Sequence, residues 1–206
     1  MLCFKGFNKD LEAVCGQGRM KFETNRTYNE DRSKTVRSGF HCAEYPIHCL
    51  VFYPLGNGNR YFRVEAAGDI DDDNTMVACT RLTLKNELTV KELVQYSLLY
   101  IMRHKERDLD HRSTRCVVES EAAELNVKGE GICIAYGSDP RVKASQGNYI
   151  GIVKYLETGE VVGGLWEVGK AKPENPGAMV EDNKWLTVDD IGNLIDWRKK
   201  DERKDH

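Results

Sequence analysis

The segment from Ser38 to Pro54, with the sequence SGFHCAEYPIHCLVFYP, constrains the fold more than any other part of the chain. It combines two His-Cys pairs with a high density of aromatic and aliphatic residues, which are seldom all left in water. The pattern predicts a loop ending at Gly39, a short strand over 40–42, and a helical turn that begins at Pro46 and stops at Pro54. This segment is therefore expected to form the centre of the first half of the protein.

Composition limits the classes of protein that the chain can represent. The 206 residues suffice for one domain with an appendage or two small domains, and the formal net charge of −3 argues against broad nucleic-acid binding. No apolar run approaches the ~20 residues that span a bilayer, and no signal peptide is recognisable at the N-terminus. The seven cysteines form no disulfide framework, so reduced thiols and a cytoplasmic location in a bacterial cell are expected.

The first 110 residues are predicted to form an α+β domain with a mixed sheet, short helices and one long capped helix. Strands are expected over 2–8 and 11–15, joined by a turn at 8–10, and over 60–67 and 77–84 from the alternation of apolar and polar residues. The polar stretch 16–37 is expected to be a solvated loop and edge strand. Thr89 and Glu92 have the spacing of a capping box, which predicts a helix over about 89–106.

Residues 111–206 are predicted to be a β-rich region. Short apolar runs separated by glycines over 113–153 fit a short β-solenoid or roll, or alternatively a β-meander of hairpins. Further along, we expect a hairpin with its second strand at 165–168, a Pro-containing loop over 172–177, and a hairpin within 185–196 that turns near Gly192-Asn193. A charged, frayed tail is expected from Trp197 onward.

The chain resembles an uncharacterised family of bacteria, prophages and phages. The resemblance rests on the opening FKGF strand at 4–7, a GFHxCxxP-type block ending in Tyr-Pro at 39–54, and a Val-Glu-Ala-x-Gly pattern at 64–68. Many members continue into Gly/Ala/Ser-rich repeats, which are abbreviated here to 113–153. The resemblance implies a phage or mobile-element setting and supplies no mechanism.

The first 88 residues are also similar to ADP-ribosyltransferase-like folds. This resemblance implies that Lys5, His41 and Glu65 are catalytic and that Tyr45 lies near the nicotinamide of a bound NAD. Two features depart from the pattern: Lys5 stands where Arg or His is usual, and Glu65 falls in a plain alternating strand.

Three other chemical interpretations were weighed at the same residues. The two His-Cys pairs could ligate zinc if Cys79 or Cys133 completed the set, but adjacent strand residues face opposite ways, so core cysteines and no metal site are predicted. Cys42 with a histidine could form a nucleophile–base pair, although nothing supplies an orienting third group. The acidic run 69–74 lacks the sixth-position Gly and twelfth-position Glu of a calcium loop, which favours an exposed acidic turn.

These observations favour a non-enzymatic binding or accessory protein of phage or mobile-element type that modulates a host or defence protein. The expected partner is a host protein, without membrane or nucleic acid, and association between copies through the small-residue strands is compatible with the pattern. The alternative is an NAD-dependent ADP-ribosyltransferase-like enzyme, for which NAD would be the cofactor.

Overall fold

The computed structural model describes residues 1–15, 18–106, 114 and 116–200. These residues form helices and several small β-sheets, none of which is closed. This mixed architecture agrees with the predicted α+β class. The chain divides into two compact units, Met1–Ser97 and Leu98–His206. The predicted division at 110/111 falls within residues 107–113, which lie outside the described residues.

The N-terminal unit is built on a five-stranded antiparallel sheet with two long central strands. Its elements are β1 (Leu2–Phe7), β2 (Glu12–Ala13), β3 (Met20–Lys21), β4 (Thr27–Asn29), β5 (Phe40–Cys42), a 3₁₀ turn (Pro46–His48), α1 (Cys49–Phe52), β6 (Arg60–Asp72), β7 (Val77–Leu88) and the start of α2 (Val90–Arg103). The sheet order is β1-β6-β7-β4, and β5 pairs with β7 beyond this path. The predicted strand, helical turn and stop of the central segment are confirmed at β5, the 3₁₀ turn and α1.

Side-chain alternation in this sheet gives it one strongly apolar face. Strand β1 pairs with β6 so that Cys3, Lys5 and Phe7 lie opposite Val64, Phe62 and Arg60, and directly opposed residues of an antiparallel pair share a face. Phe7, Phe62 and Val64 are fully buried in one apolar cluster. Lys5 therefore stands among core residues although its side chain is cationic.

The described part of the polar stretch 16–37 contributes to the core, contrary to the solvated loop predicted there. Phe22 and Tyr28 are 2% and 8% exposed, and their rings lie 4.8 Å apart. The Tyr28 hydroxyl accepts a hydrogen bond from the Glu23 backbone N–H at 2.8 Å. Strand β2 pairs with β3 within this stretch, whereas the sequence suggested an opening pair formed with β1.

Two boundaries differ from the sequence prediction. The first, at the end of β6, differs because ladder pairing overrides local polarity. Strand β6 continues through Asp72 because Ile70, Asp71 and Asp72 pair with Cys79, Ala78 and Val77, so the acidic run begins inside the strand and turns only after it. Helix α2 begins with the predicted capping box, in which Glu92 N–H donates to Thr89 Oγ1 at 3.2 Å and Thr89 N–H to Glu92 Oε2 at 2.8 Å. It ends at Arg103, three residues before the predicted end.

The C-terminal unit contains two four-stranded sheets and a small hairpin. Its strands are β8 (Val117–Glu119), β9 (Ala122–Leu125), β10 (Ile132–Gly137), β11 (Arg141–Ala144), β12 (Tyr149–Tyr155), β13 (Val161–Glu167), β14 (Ala171–Lys172), β15 (Asn175–Met179), β16 (Leu186–Val188) and β17 (Leu194–Asp196), followed by a 3₁₀ turn (Trp197–Lys199). The sheet orders are β13-β12-β10-β8 and β17-β16-β11-β9. No helix of the described residues is both long enough and apolar enough to cross a membrane.

Successive strand pairs of this unit are stacked in parallel. Strand β10 pairs in parallel with β8 and β12, and β11 pairs in parallel with β9, whereas hairpins of a meander pair antiparallel. Beyond β12 the chain returns antiparallel as β13. The predicted hairpin with its second strand at 165–168 is confirmed by the β12–β13 pair, in which that strand spans Val161–Glu167. The hairpin predicted within 185–196 is confirmed by the β16–β17 pair.

Two predictions for the end of the chain are wrong. The expected loop over 172–177 is part of the β14–β15 hairpin. The expected frayed tail is held in place at its start, because Trp197 Nε1 and Lys200 Nζ both donate to Asp139 Oδ1, at 3.3 and 2.7 Å. The last part of that tail, residues 201–206, lies outside the described residues.

Candidate ligand-binding site

A cavity of about 700 Å³ lies within the N-terminal unit. Its walls come from β1, β5, the helical turn after β5 and the segments 13–15, 18–22, 36–39 and 75–76. Gly6 allows the helical turn to approach β1, since a Cβ at this position would lie 2.6 Å from Tyr53 Cδ2. This volume is within the range of pockets that hold small organic ligands.

Lys5 places a buried amine in the wall of this cavity. The residue is 9% exposed, and its Nζ donates to the His41 carbonyl oxygen at 2.6 Å. Within the described residues, no carboxylate lies within ion-pair distance of it. Burial lowers the pKa of Lys5, while nearby thiols such as Cys42 act weakly in the opposite direction. A buried amine with few polar partners is less readily protonated than a lysine in water.

His41 adds a second incompletely paired polar group to the same wall. Its side chain is half-buried, and its Nε2 is buried without a hydrogen-bond partner among the described residues. Burial, and after it the neighbouring Lys5 charge, lowers the pKa of His41. The imidazole is therefore mainly neutral at neutral pH and can offer either a donor or an acceptor to a ligand.

Two thiols at the cavity, those of Cys42 and Cys49, are poor nucleophiles. Burial raises the pKa of Cys49 to about 12, and hydrogen bonds with Cys3 and Cys79, together with burial, raise the pKa of Cys42. Because the thiolate is the reactive form, these cysteines are inert at neutral pH. The described part of the chain contains no group of three or more His, Cys, Asp or Glu side chains suited to hold a metal ion.

The charged groups around the cavity are mainly cationic. Lys5, Arg19 and Arg37 line it, against the single carboxylate of Glu30, and both arginines and Glu30 are exposed to solvent. His48 lies at the side, where its Nδ1 is 2.8 Å from the Thr75 carbonyl oxygen. A surplus of positive charge at the opening of a partly enclosed site favours anions.

The other two residues implied by the transferase resemblance are placed elsewhere. Glu65 pairs with Leu2 in the β1–β6 ladder, so alternation puts its side chain on the face of the sheet opposite Lys5. It is exposed and forms an ion pair with Lys85 at 2.8 Å. Tyr45 is 2% exposed, packs edge-on against His48 with ring centroids 5.2 Å apart, and does not line the cavity. The structure thus brings together Lys5 and His41, but not Glu65 or Tyr45.

The sequence analysis missed the arginines and Tyr53 as parts of the site. Arg19 and Arg37 lie in a polar stretch whose path over the cavity has no local signal. Tyr53 had a weak signal, because its place directly before the helix-stopping Pro54 implied a packed aromatic. In the structure its hydroxyl accepts a hydrogen bond from the Val14 N–H at 3.0 Å, which fixes the loop beside the cavity.

A smaller pocket of about 300 Å³ lies in the C-terminal unit. It is lined in part by Lys143, Lys184 and Trp185, but the two lysines are engaged with Glu124 and Glu181 at 2.8 and 2.7 Å. Its cations are therefore largely neutralised within the unit, which makes it a weaker candidate than the Lys5 cavity.

Comparison with known families assigns the N-terminal unit. Residues 1–96 match the model of a domain of unknown function (DUF7666), so the match includes Lys5, His41 and all other residues that line the cavity. No curated protein and no solved structure matches the chain. The candidate site thus belongs to the part of the chain that a domain family covers, and that family carries no assigned activity.

Proposed function

We propose that the protein is a non-enzymatic binding protein whose N-terminal unit holds a small anionic organic molecule in the Lys5–His41 cavity. One observation carries this proposal: Lys5, whose buried Nζ has one hydrogen-bond acceptor among the described residues, and the half-buried His41 line the same cavity of about 700 Å³. Unpaired buried polar groups are costly in an empty core, whereas a ligand can supply the missing partners.

The charge around the opening supports an anion as the ligand. Arg19 and Arg37 are exposed cations at the cavity, and their guanidinium groups match carboxylate and phosphate oxygens in geometry. The interior groups then contact the uncharged part of the molecule. Lys5 and His41 act there as hydrogen-bonding partners and position it.

Thermal unfolding of the full chain with pyruvate and citrate, and with glycerol as the neutral control, tests the proposal. A ligand that binds only the folded state raises the melting temperature once its concentration exceeds its Kd. We expect a rise with at least one carboxylate, loss of that rise in Lys5→Met, and retention in Lys9→Met, since Lys9 is an exposed turn residue outside the cavity. No rise at millimolar carboxylate, or an equal rise in Lys5→Met, contradicts the proposal.

The setting that we propose is that of an accessory protein of a phage or mobile element, acting on a host or defence protein in the bacterial cytoplasm. It is supported by the resemblance of the 39–54 block. A reciprocal purification tests it: one bacterial protein should co-purify with the chain and should recover the chain when it carries the tag itself. If the tagged bacterial protein does not recover the chain, the proposed partner is contradicted.

For the C-terminal unit we propose a short roll of stacked strand pairs as the support for such a partner surface. The parallel pairs β8–β10 and β9–β11 support it, and so does the hydrogen bond from Ser145 Oγ to Asn126 Oδ1 at 2.8 Å, which joins equivalent corners of two successive layers. A roll predicts that amide hydrogen exchange protects β8 to β12 as one cooperative block. Independent exchange of separate hairpins contradicts it.

The second candidate function is an ADP-ribosyltransferase-like enzyme with NAD as its cofactor. The observation that favours it is the closeness of Lys5 and His41, which the resemblance implies, whereas the position of Glu65 opposes it. A melting-temperature rise with NAD, together with labelling of a target that Glu65→Ala abolishes, supports the enzyme. No shift at millimolar NAD and unchanged behaviour of Glu65→Ala leave the binding protein.

A further inference from the structure

Lys5 differs from the other lysines whose environment is defined by ion pairs. Lys34, Lys85 and Lys143 each lie 2.8–2.9 Å from a carboxylate oxygen. Lys5 has only the neutral His41 carbonyl as hydrogen-bond acceptor, and burial lowers its pKa. A desolvated lysine of this kind is the amine that proteins use for covalent attachment of carbonyl compounds.

We propose that Lys5 is the attachment site for a 2-oxo acid, which it binds as an imine in the cavity. This inference rests on the proposed ligand-binding function and specifies its ligand class. The acid's carbonyl carbon lies against Lys5 Nζ, and its carboxylate, on the adjacent carbon, points from there towards the side of the cavity that Arg19 and Arg37 line. The lining offers the Lys5 amine to a carbonyl group and the positive charge of the two arginines to an anion.

The chemical step balances without an oxidant or reductant. The lone pair of neutral Lys5 Nζ attacks the carbonyl carbon, a C–N bond forms, and the carbonyl π electrons move to oxygen. A proton moves from nitrogen to that oxygen, and His41, with its unpaired Nε2 in the same wall, is the group available to carry it. Loss of water then leaves the imine, and hydrolysis by one water reverses the reaction.

Competing attachment to the buried thiol of Cys49 is suppressed. Cys49 lines the same cavity, but burial raises its pKa to about 12, so that it stays protonated. The acid is therefore held through nitrogen, and attachment is reversible.

Reductive trapping of the full chain with pyruvate and cyanoborohydride tests the inference. Peptide mass spectrometry compares the adduct on Lys5 with that on Lys9, an exposed lysine outside the cavity. The neutral fraction of an amine at neutral pH rises as its pKa falls, so we expect Lys5 to be labelled faster than Lys9. The adduct should disappear from this peptide in Lys5→Arg and persist in Lys9→Arg at Lys5.

Lactate, which has the carboxylate but no carbonyl, provides the matched ligand control. It should raise the melting temperature and slow trapping by pyruvate, without forming an adduct. A melting-temperature rise with pyruvate and no adduct on Lys5 overturns the imine while supporting the ligand-binding proposal. Equal labelling of Lys5 and Lys9 in the wild-type protein also overturns it, and this comparison does not depend on the folding of any variant.

Discussion

Lys5 in the N-terminal unit and Asn148 in the C-terminal unit are both buried polar residues, but they have opposite consequences. Asn148 is 0% exposed, and its Nδ2 donates to the carbonyl oxygens of Val127 and Ser145 at 3.0 and 2.7 Å. It thereby satisfies two buried backbone groups of neighbouring turns, although its own Oδ1 lacks a partner. Lys5 is almost as buried but donates to a single carbonyl at 2.6 Å.

Asn148 is a buried polar group that stabilises the fold, whereas Lys5 is a buried polar group whose desolvation reduces stability. Removal of the Asn148 side chain takes a donor from two backbone carbonyl groups, of which that of Ser145 keeps the bond from the Asn148 N–H at 3.3 Å, whereas removal of Lys5 relieves the desolvation of an amine. Residues that reduce stability at the wall of a cavity are expected where a site serves binding. The comparison therefore supports a structural role for Asn148 and a functional role for Lys5.

The largest effect is expected for Asn148→Ala. Loss of both donated hydrogen bonds takes this donor from the Val127 carbonyl and leaves the Ser145 carbonyl the longer bond from the N–H of residue 148, at 3.3 Å, which should lower the free energy of unfolding by about 2–4 kcal/mol. Denaturant unfolding measures this, with Asn175→Ala, a change at an exposed strand residue, as control. A loss no greater than that of the control would show that Asn148 is not structural.

Gly6→Ala tests the packing that forms the cavity. The new Cβ would lie 2.6 Å from Tyr53 Cδ2, so the helical turn must move, at a cost of about 1–3 kcal/mol. Gly177→Ala is the matched control, because its nearest neighbour would be 3.5 Å away. Equal unfolding free energies for the two variants contradict the close approach of the turn to β1.

Lys5→Met is expected to stabilise the protein by about 0.5–2 kcal/mol at neutral pH. The pKa of Lys5 is lower in the folded than in the unfolded chain, so between these two values the unfolded state binds more protons and wild-type stability rises with pH. The advantage of the variant should therefore shrink as the pH approaches 10.5, the usual lysine value. Unfolding measured from pH 6 to 10 checks both statements, and a destabilised variant at every pH contradicts them.

The smallest effect concerns Asp71, which fastens the loop beside the cavity. Hydrogen bonds from the Thr35 backbone and then from Lys34 and the Thr35 hydroxyl lower the pKa of Asp71 to about 2. A lowered carboxyl pKa stabilises the folded state above its usual value near 3.8, and this contribution is lost as the pH falls through about 2. Amide exchange at Thr35 should accelerate over that range.

Asp71→Ala should exchange rapidly at Thr35 already at pH 5. The exchange of Thr187, whose hydroxyl is bonded to the Pro140 carbonyl in the other unit, serves as the internal control. Unchanged Thr35 exchange in the variant contradicts the fastening.

The sequence was sufficient for features that depend on local physics. The Thr89–Glu92 capping box, the strand–turn segment around Pro46 and the hairpin at Gly192-Asn193 all depend on interactions within a few residues. Features that depend on distant partners were not accessible. Asp71 and Asp72 belong to a strand because of their pairing with β7, and Phe22 is buried because rings from other elements surround it.

The candidate site shows the same difference between what is local in sequence and what depends on distant partners. Lys5 and His41 were nominated from a resemblance, and the structure places them together because β1 and β5 meet at the cavity. The position of Glu65 depends on the β1–β6 register, which pairs it with Leu2 and directs it away from Lys5. A sequence without known strand partners carries no information on that register.

The account depends most directly on the protonation of Lys5. Its pKa can be measured by following the ¹³Cε resonances of labelled lysines through a pH titration, with Lys5 assigned by its disappearance in Lys5→Arg. The account predicts one lysine that titrates clearly below the usual 10.5, and that this resonance is Lys5. A Lys5 that titrates at or above 10.5 would contradict it.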